Sequence, residues 1–190
     1  MPPPFVRKAG QVVHYYYAKL VIAPSAGMAG NFGFIIDRYK ALERGEIQMS
    51  DYDRELWIKE TTPQALCAYC GGPGPLMADH IIPLSLSAPD SVHNLVRCCV
   101  ACNGSKSDRD LVEWWDDTLL GRLGPAANSL PRVPAGLYLK LCFDWLKINN
   151  LLELPARDLY DLLPFRPRPG SSKPSGSSRQ GRRPRGPRRS

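Results

Sequence analysis

Apolar and polar positions follow several different rhythms along this chain. In "QVVHYYYAKLVIAPSAG", Val12 to Ala23 is apolar on both faces and carries three tyrosines, which suits a buried strand or a short helix equally well. "NFGFIIDRYKALERGE" is clearer. Phe34, Ile35, Tyr39 and Leu42 recur at helical spacing with Gly45 near the end, predicting a helix from about Phe34 to Arg44. Ser50 with Asp53 resembles a capping box ahead of Leu56, Trp57 and Ile58, so a second helix is predicted from Ser50. Further on, "LYLKLCFDWLKINNLLEL" sets Leu137, Leu139, Leu141, Phe143, Trp145, Leu146 and Leu151 in a mostly helical pattern, as expected of a helix packed on a core. "ARDLYDLLPF" adds a short amphipathic turn or helix ending at Pro164. Punctuation separates these runs: "MPPPF" predicts an extended, poorly ordered lead, and "GRLGPAANSLPRVPAG" a Gly/Pro-rich connector.

Composition sharpens this outline. The 190 residues, 43% of them apolar, provide one folded unit with a real core. The reading divides them into a mostly helical N-terminal extension (1–60), a dense motif region (61–120), a linker with C-terminal helices (121–165) and a tail (166–190). The net charge of +7 is misleading, because nine basic and no acidic residues lie from Arg166 onward, leaving the first 165 residues slightly acidic. The basicity belongs to a Pro/Gly/Ser/Arg tail with nothing to bury, expected to be disordered on its own. No stretch of about 18 apolar residues predicts a membrane span, and His14 and Lys19 interrupt the nearest approach to a secretory leader.

Four of the six cysteines form two C-x-x-C pairs, Cys67–Cys70 and Cys99–Cys102, with 28 residues between them. Two such knuckles supply the tetrahedral sulfur set of structural Zn²⁺, a closed site with no room for substrate. By analogy with zinc-finger peptides such a site contributes on the order of 10–16 kcal/mol to folding. The competing reading is a redox C-x-x-C or unrelated buried thiols. Cys98 abuts Cys99, but Cys99 is preferred as ligand because it restores the two-residue spacer to Cys102; Cys142 reads as a small buried hydrophobe. Metal binding rather than disulfide formation points to a reducing compartment, so the protein is expected to be intracellular, cytoplasmic or nucleoid-associated.

Between the knuckles lies "MADHIIPLS", in which Asp79 and His80 stand together in an apolar, strand-like run. Asp79-His80-Ile81-Ile82-Pro83-Leu84-Ser85, then Asn94-Leu95-Val96, then Cys99-x-x-Cys102-Asn103-x-x-Lys106 together resemble the HNH endonuclease family over about residues 65–115. The resemblance implies an α+β protein whose motif region, 61–120, is a small ββα-metal core with structural zinc, flanked by helical extensions. It places His80 at the end of the first strand and Asn94 in the loop entering the second. Cys102, Asn103 and Lys106 then fall on the helix. It further implies that Asp79 and Asn103 bind a catalytic Mg²⁺, Mn²⁺ or other divalent cation, that His80 is the general base, and that Asn94 holds the loop or orients the histidine ring through its carbonyl. Lys106 is either a phosphate contact or a solvated helix lysine.

These residue types suit the implied chemistry. Phosphodiester hydrolysis needs a base for the attacking water, which an imidazole with its ordinary pKa near 6.5 supplies. The remaining acceleration calls for a hard cation on oxygen ligands. His14 and His93 read as packing or loop residues. Trp114 and Trp115, after a capping-like Ser107-x-x-Asp110, read as core, with base stacking by an exposed indole as the other option. The expected function is therefore a metal-dependent DNA endonuclease, with the basic tail adding phosphate contacts. The alternative is a non-catalytic zinc-knuckle module that binds nucleic acid or protein.

Overall fold

The computed structural model describes residues 2–49, 66–86, 88–115 and 131–159. Helix α1 spans Ala9–Tyr17, passes through a wider π-type turn at Ala18–Ile22 and ends with Ala23–Ser25. The ambiguous tyrosine run is thus helical, and its apolar residues on both faces have a reason: Tyr15, Tyr16 and Tyr17 are all buried, because neighbours pack on several sides. Helix α2, Phe32–Glu43, matches the predicted span. Asn31 caps its start by accepting from the Phe34 amide at 3.0 Å, and Gly45 at φ +70 closes its end in the left-handed conformation that glycine adopts without strain. The helix predicted from Ser50 lies outside the described residues.

The lead, expected to be extended and poorly ordered, makes a turn at Pro4–Phe5. Val6 is buried and its amide bonds to the Pro3 carbonyl at 2.9 Å. Just after it, the orphan first-turn amides of α1, at Ala9 and Gly10, donate to the carbonyls of Leu154 and Leu152 at 2.8 and 3.0 Å. In return, the Ala156 amide donates to the Arg7 carbonyl at 2.7 Å. The C-terminal segment therefore caps the N-terminal helix.

Strands β1 (Leu76–His80) and β2 (Leu95–Cys99) form one antiparallel pair, with Asp79 opposite Val96 and His80 opposite Leu95. Helix α3 (Val100–Lys106) follows β2 directly and packs on both strands. Helix α4 is a short turn, Leu111–Trp114. Ser107 does not begin it: at φ 54 it terminates α3, so the expected Ser107-x-x-Asp110 capping arrangement is not formed.

Helix α5, Arg132–Ile148, starts within the predicted connector. Pro134 falls in its first turn, where an amide would have no helical partner anyway, so "PRVPAG" can open a helix. Cys142 is buried on this helix, as expected. Residues 156–158 form a short 3₁₀ turn, and the remainder of "ARDLYDLLPF" and the tail lie outside the described residues.

One apolar cluster connects the helices to the ββα unit, running from Val12 and Tyr16 through Leu137 and Leu139 to Ile81, Ile82 and Val96. Helix α5 packs on α1 and on the Val92–Asn94 turn, and so backs the loop that ends at the second strand. His14 serves this assembly. Its Nδ1 meets Glu43 Oε1 at 2.6 Å and its ring stacks on Phe143 at 4.6 Å, tying α1, α2 and α5 together. Among the described residues, no helix is long and apolar enough to cross a membrane.

Candidate metal centre and active-site cleft

The two knuckles converge. The Sγ atoms of Cys67, Cys70, Cys99 and Cys102 lie within 4.8 Å of one another, with Cys70 and Cys99 at 3.9 Å. For Zn–S bonds of about 2.3 Å, a tetrahedron has sulfur–sulfur edges of about 3.8 Å, so the cluster can close on an ion with small shifts. Backbone amides already point at the sulfurs: Cys70 N on Cys67 Sγ at 3.5 Å, Gly72 N on Cys70 Sγ at 3.4 Å and Cys102 N on Cys99 Sγ at 3.4 Å. Gly71 at φ +69 makes the first turn tight enough for this. Burial pushes the Cys67 thiol up, but hydrogen bonds from the backbone of Cys70, Cys99 and Tyr69 outweigh it and hold the group at about 6. Cys102 is pushed up, by burial and then by its neighbouring thiols. All four are free thiols crowded into one site, an arrangement that two independent redox pairs would not need and that a zinc ion would neutralise. Cys98 points the other way, fully buried, as strand alternation requires for the neighbour of Cys99.

Strand alternation also separates Asp79 from His80. Asp79 is on the face turned to α3 and is 7% exposed. Its Oδ2 accepts from the Tyr69 hydroxyl at 2.5 Å and lies 3.2 Å from Lys106 Nζ, while its Oδ1 lies 3.4 Å from the same ammonium. The Tyr69 phenol is held far above its ordinary range, by burial and then by the Asp79 carboxylate, so it stays protonated and donates. His80 is partly exposed and its Nε2 meets Asp90 Oδ1 at 3.1 Å. β1 ends here because the next amides are diverted: Ile81 N goes to the Asn94 carbonyl at 2.8 Å, Ile82 N to Asn94 Oδ1 at 2.9 Å, and Pro83 has none.

Asn94 is therefore the clamp of the loop. Fully buried, it also donates from Nδ2 to the carbonyls of Ile82 at 2.8 Å and Pro89 at 3.0 Å. Of the two roles expected for it, loop holding matches these bonds. Its carbonyl is engaged by Ile81, and the partner of the His80 ring among the described residues is Asp90. Asn94→Ala would strand three buried backbone groups; a loss of about 3 kcal/mol is expected in denaturant titration of the zinc-loaded protein, at one to three per orphaned group with partial relaxation.

Lys106 departs from the solvated alternative. It is 0% exposed, and its Nζ donates to the His80 carbonyl at 2.6 Å besides facing Asp79. It is not a solvated lysine; it fastens the end of α3 to the end of β1. Asn103, on the same helix, donates from Nδ2 to Met77 Sδ at 2.9 Å, and among the described residues its Oδ1 has no hydrogen-bond partner. Asp79, His80 and Asn103 line one open cleft with Ala78, Ser107 and Asp108, and Leu84 and Ser85 form its other wall. Leu84 is 44% exposed on this wall, whereas Ile81 and Ile82 supply the apolar anchorage.

Sequence reading missed Tyr69 and Asp90. Tyr69 had one available signal, its position inside a metal knuckle, where a large aromatic must pack on something; here it meets Trp114 edge-on at 4.9 Å. Asp90 had none, because a loop carboxylate reaches a strand histidine only after the chain folds. Trp114 is half-buried, with its indole donating to Ser105 Oγ at 3.0 Å.

Two short strands, a helix packed on both, a four-sulfur cluster and a cleft bordered by Asp79, His80 and Asn103 make up a small α+β unit. The HNH endonuclease family model matches residues 67–109, a span containing all four clustered cysteines and the whole cleft triad. This segment is similar to HNH endonuclease domains, and the match points to nuclease activity in general terms. No curated protein and no solved structure matches the chain.

Proposed function

We propose that this HNH-like domain hydrolyses phosphodiester bonds in DNA, inside the cell, with the four-thiolate zinc as scaffold and a divalent cation in the cleft. The observation that carries the reading is the convergence of Asp79, His80 and Asn103 on one open cleft. The residues fit a hard cation such as Mg²⁺ or Mn²⁺: Asn103 Oδ1 is unengaged among the described residues, and Asp79 Oδ1 faces only Lys106 at 3.4 Å. When bound, the cation neutralises charge on the phosphate and the departing 3′ oxygen.

The chain's own residues do the rest. A carboxylate only accepts hydrogen bonds, so beside Asp90 a neutral His80 carries its proton on Nε2 and offers Nδ1 as the base for the attacking water. Asp79 and Asn103 contribute oxygen atoms from a strand and a helix, and Lys106 keeps those two elements together. The decisive experiment incubates supercoiled plasmid with the zinc-loaded chain and Mg²⁺ or Mn²⁺. Nicked or linear product that disappears with EDTA is expected, and no conversion under any divalent ion overturns the reading. The alternative of a non-catalytic zinc-knuckle module draws on one observation, that Asp79 is already bonded internally; cleavage by the wild type excludes it.

The arginine-rich tail is proposed to add phosphate contacts that the slightly acidic remainder lacks. Deleting residues 166–190 is expected to weaken DNA binding and to flatten its log–log salt dependence by about 0.9 for each phosphate that the tail neutralises. An unchanged slope in filter or fluorescence binding would reject that role.

A further inference from the structure

Tyr69 belongs to the zinc knuckle by sequence and to the cleft by contact. It stands between Cys67 and Cys70, is 2% exposed, and has its ring fixed edge-on against Trp114 at 4.9 Å. From that immobile base its hydroxyl donates to Asp79 Oδ2 at 2.5 Å. Lys106 lies on the same carboxylate at 3.2 and 3.4 Å, but its shortest bond, 2.6 Å, goes to the His80 carbonyl. The tyrosine is therefore the closer and more directional restraint on the rotation of the Asp79 carboxyl group. Oδ2 is held by both Tyr69 and Lys106, whereas Oδ1 keeps the longer 3.4 Å contact to Lys106 and is the less engaged of the two.

We infer that Tyr69 is a positioning residue for Asp79: it transmits the geometry of the zinc knuckle to the cleft and selects Oδ1 as the oxygen presented to a divalent cation. The inference rests on the nuclease reading above and deepens it. It has a physical precedent in metal sites generally, where a hydrogen-bond partner that orients a ligand is worth roughly 10–100-fold in metal affinity or activity. It also gives the zinc a second consequence, since disturbing the first knuckle displaces the hydroxyl that fixes Asp79.

The test uses Tyr69→Phe in the full chain, which keeps the ring and its packing on Trp114 and removes the single hydroxyl. Mn²⁺ binding to the zinc-loaded protein is read by electron paramagnetic resonance without DNA, beside zinc content, thermal midpoint and the Mn²⁺ concentration for half-maximal cleavage. Expected are roughly tenfold weaker Mn²⁺ binding, a matching rise in half-maximal Mn²⁺, and one zinc per chain as in wild type. Asp79→Asn is the reference, and Tyr69→Phe added to it should weaken Mn²⁺ binding no further, because the hydroxyl acts through the carboxylate. If wild type binds Mn²⁺ and cuts but Tyr69→Phe does so equally well, the inference fails and the nuclease reading stands. An additive effect of the two substitutions also overturns it. If wild type neither binds Mn²⁺ nor cuts, the nuclease reading itself fails and takes the inference with it.

Discussion

Cys99→Ser is expected to leave the chain without zinc and to unfold residues 67–109 while the helices around them persist. The ββα unit cannot hold itself together. Its sheet is two strands of five residues each and its helix has seven residues, and a lone two-stranded sheet is marginal in water. Against that, a structural zinc contributes on the order of 10–16 kcal/mol, more than any other single interaction available there. Cys99 is the most damaging position. It ends β2, its sulfur caps the start of α3 by accepting from Cys102 N, and it approaches Cys70 Sγ at 3.9 Å. Helices α1, α2 and α5 have their own apolar contacts, including Tyr16, Leu137 and Leu139, all nearly inaccessible. Hydrogen exchange should therefore show loss of protection at β1, β2 and α3 with protection kept at α1 and α5. Elemental analysis should fall from one zinc per chain to none. Retained zinc, or unchanged protection of the strands, would contradict the scaffold assignment.

His80→Ala should do the reverse, sparing the fold and slowing cleavage strongly. The side chain is 28% exposed, and its partner Asp90 is 77% exposed, so removing the ring uncovers little apolar surface and breaks one solvated contact. The thermal midpoint and zinc content should stay at wild-type values. A positioned general base gives about 10²- to 10⁴-fold, corresponding to roughly 2.7–5.5 kcal/mol of barrier. Single-turnover cleavage should fall within that range. An alanine variant that cuts as fast as wild type would remove His80 from the chemistry, and one that loses zinc would mean the ring supports the fold.

What could be read before folding was whatever is local. The helix over Phe34–Arg44 could be read because its apolar stripe and Gly45 stop lie close together in the chain. The knuckles could be read because metal geometry imposes a two-residue spacer, and the triad because its spacing matches a family pattern. The lead, the connector and Lys106 misled for one shared reason. Proline-rich "MPPPF" turns back so that Phe5 meets Tyr39 of α2, "PRVPAG" becomes a helix because its prolines fall at amides that need no partner, and Lys106 is buried because Asp79 and the His80 carbonyl receive it.

By itself the sequence indicated the α+β class of the motif region, the four cysteines that cluster and the three residues that border the cleft, the cysteines through their two-residue spacers and the rest through resemblance to a family pattern. Only the tertiary structure decided which way those side chains face. It turned Asp79 inward to Tyr69 and Lys106, His80 outward to Asp90, and made Asn94 the lock of the loop between them. Adjacent strand residues differ in burial, although Asp79 and His80, the last two residues of β1, both border the cleft. Which of the two is buried depends on where helix α3 and the knuckle close over the sheet, a long-range packing choice that no local pattern encodes.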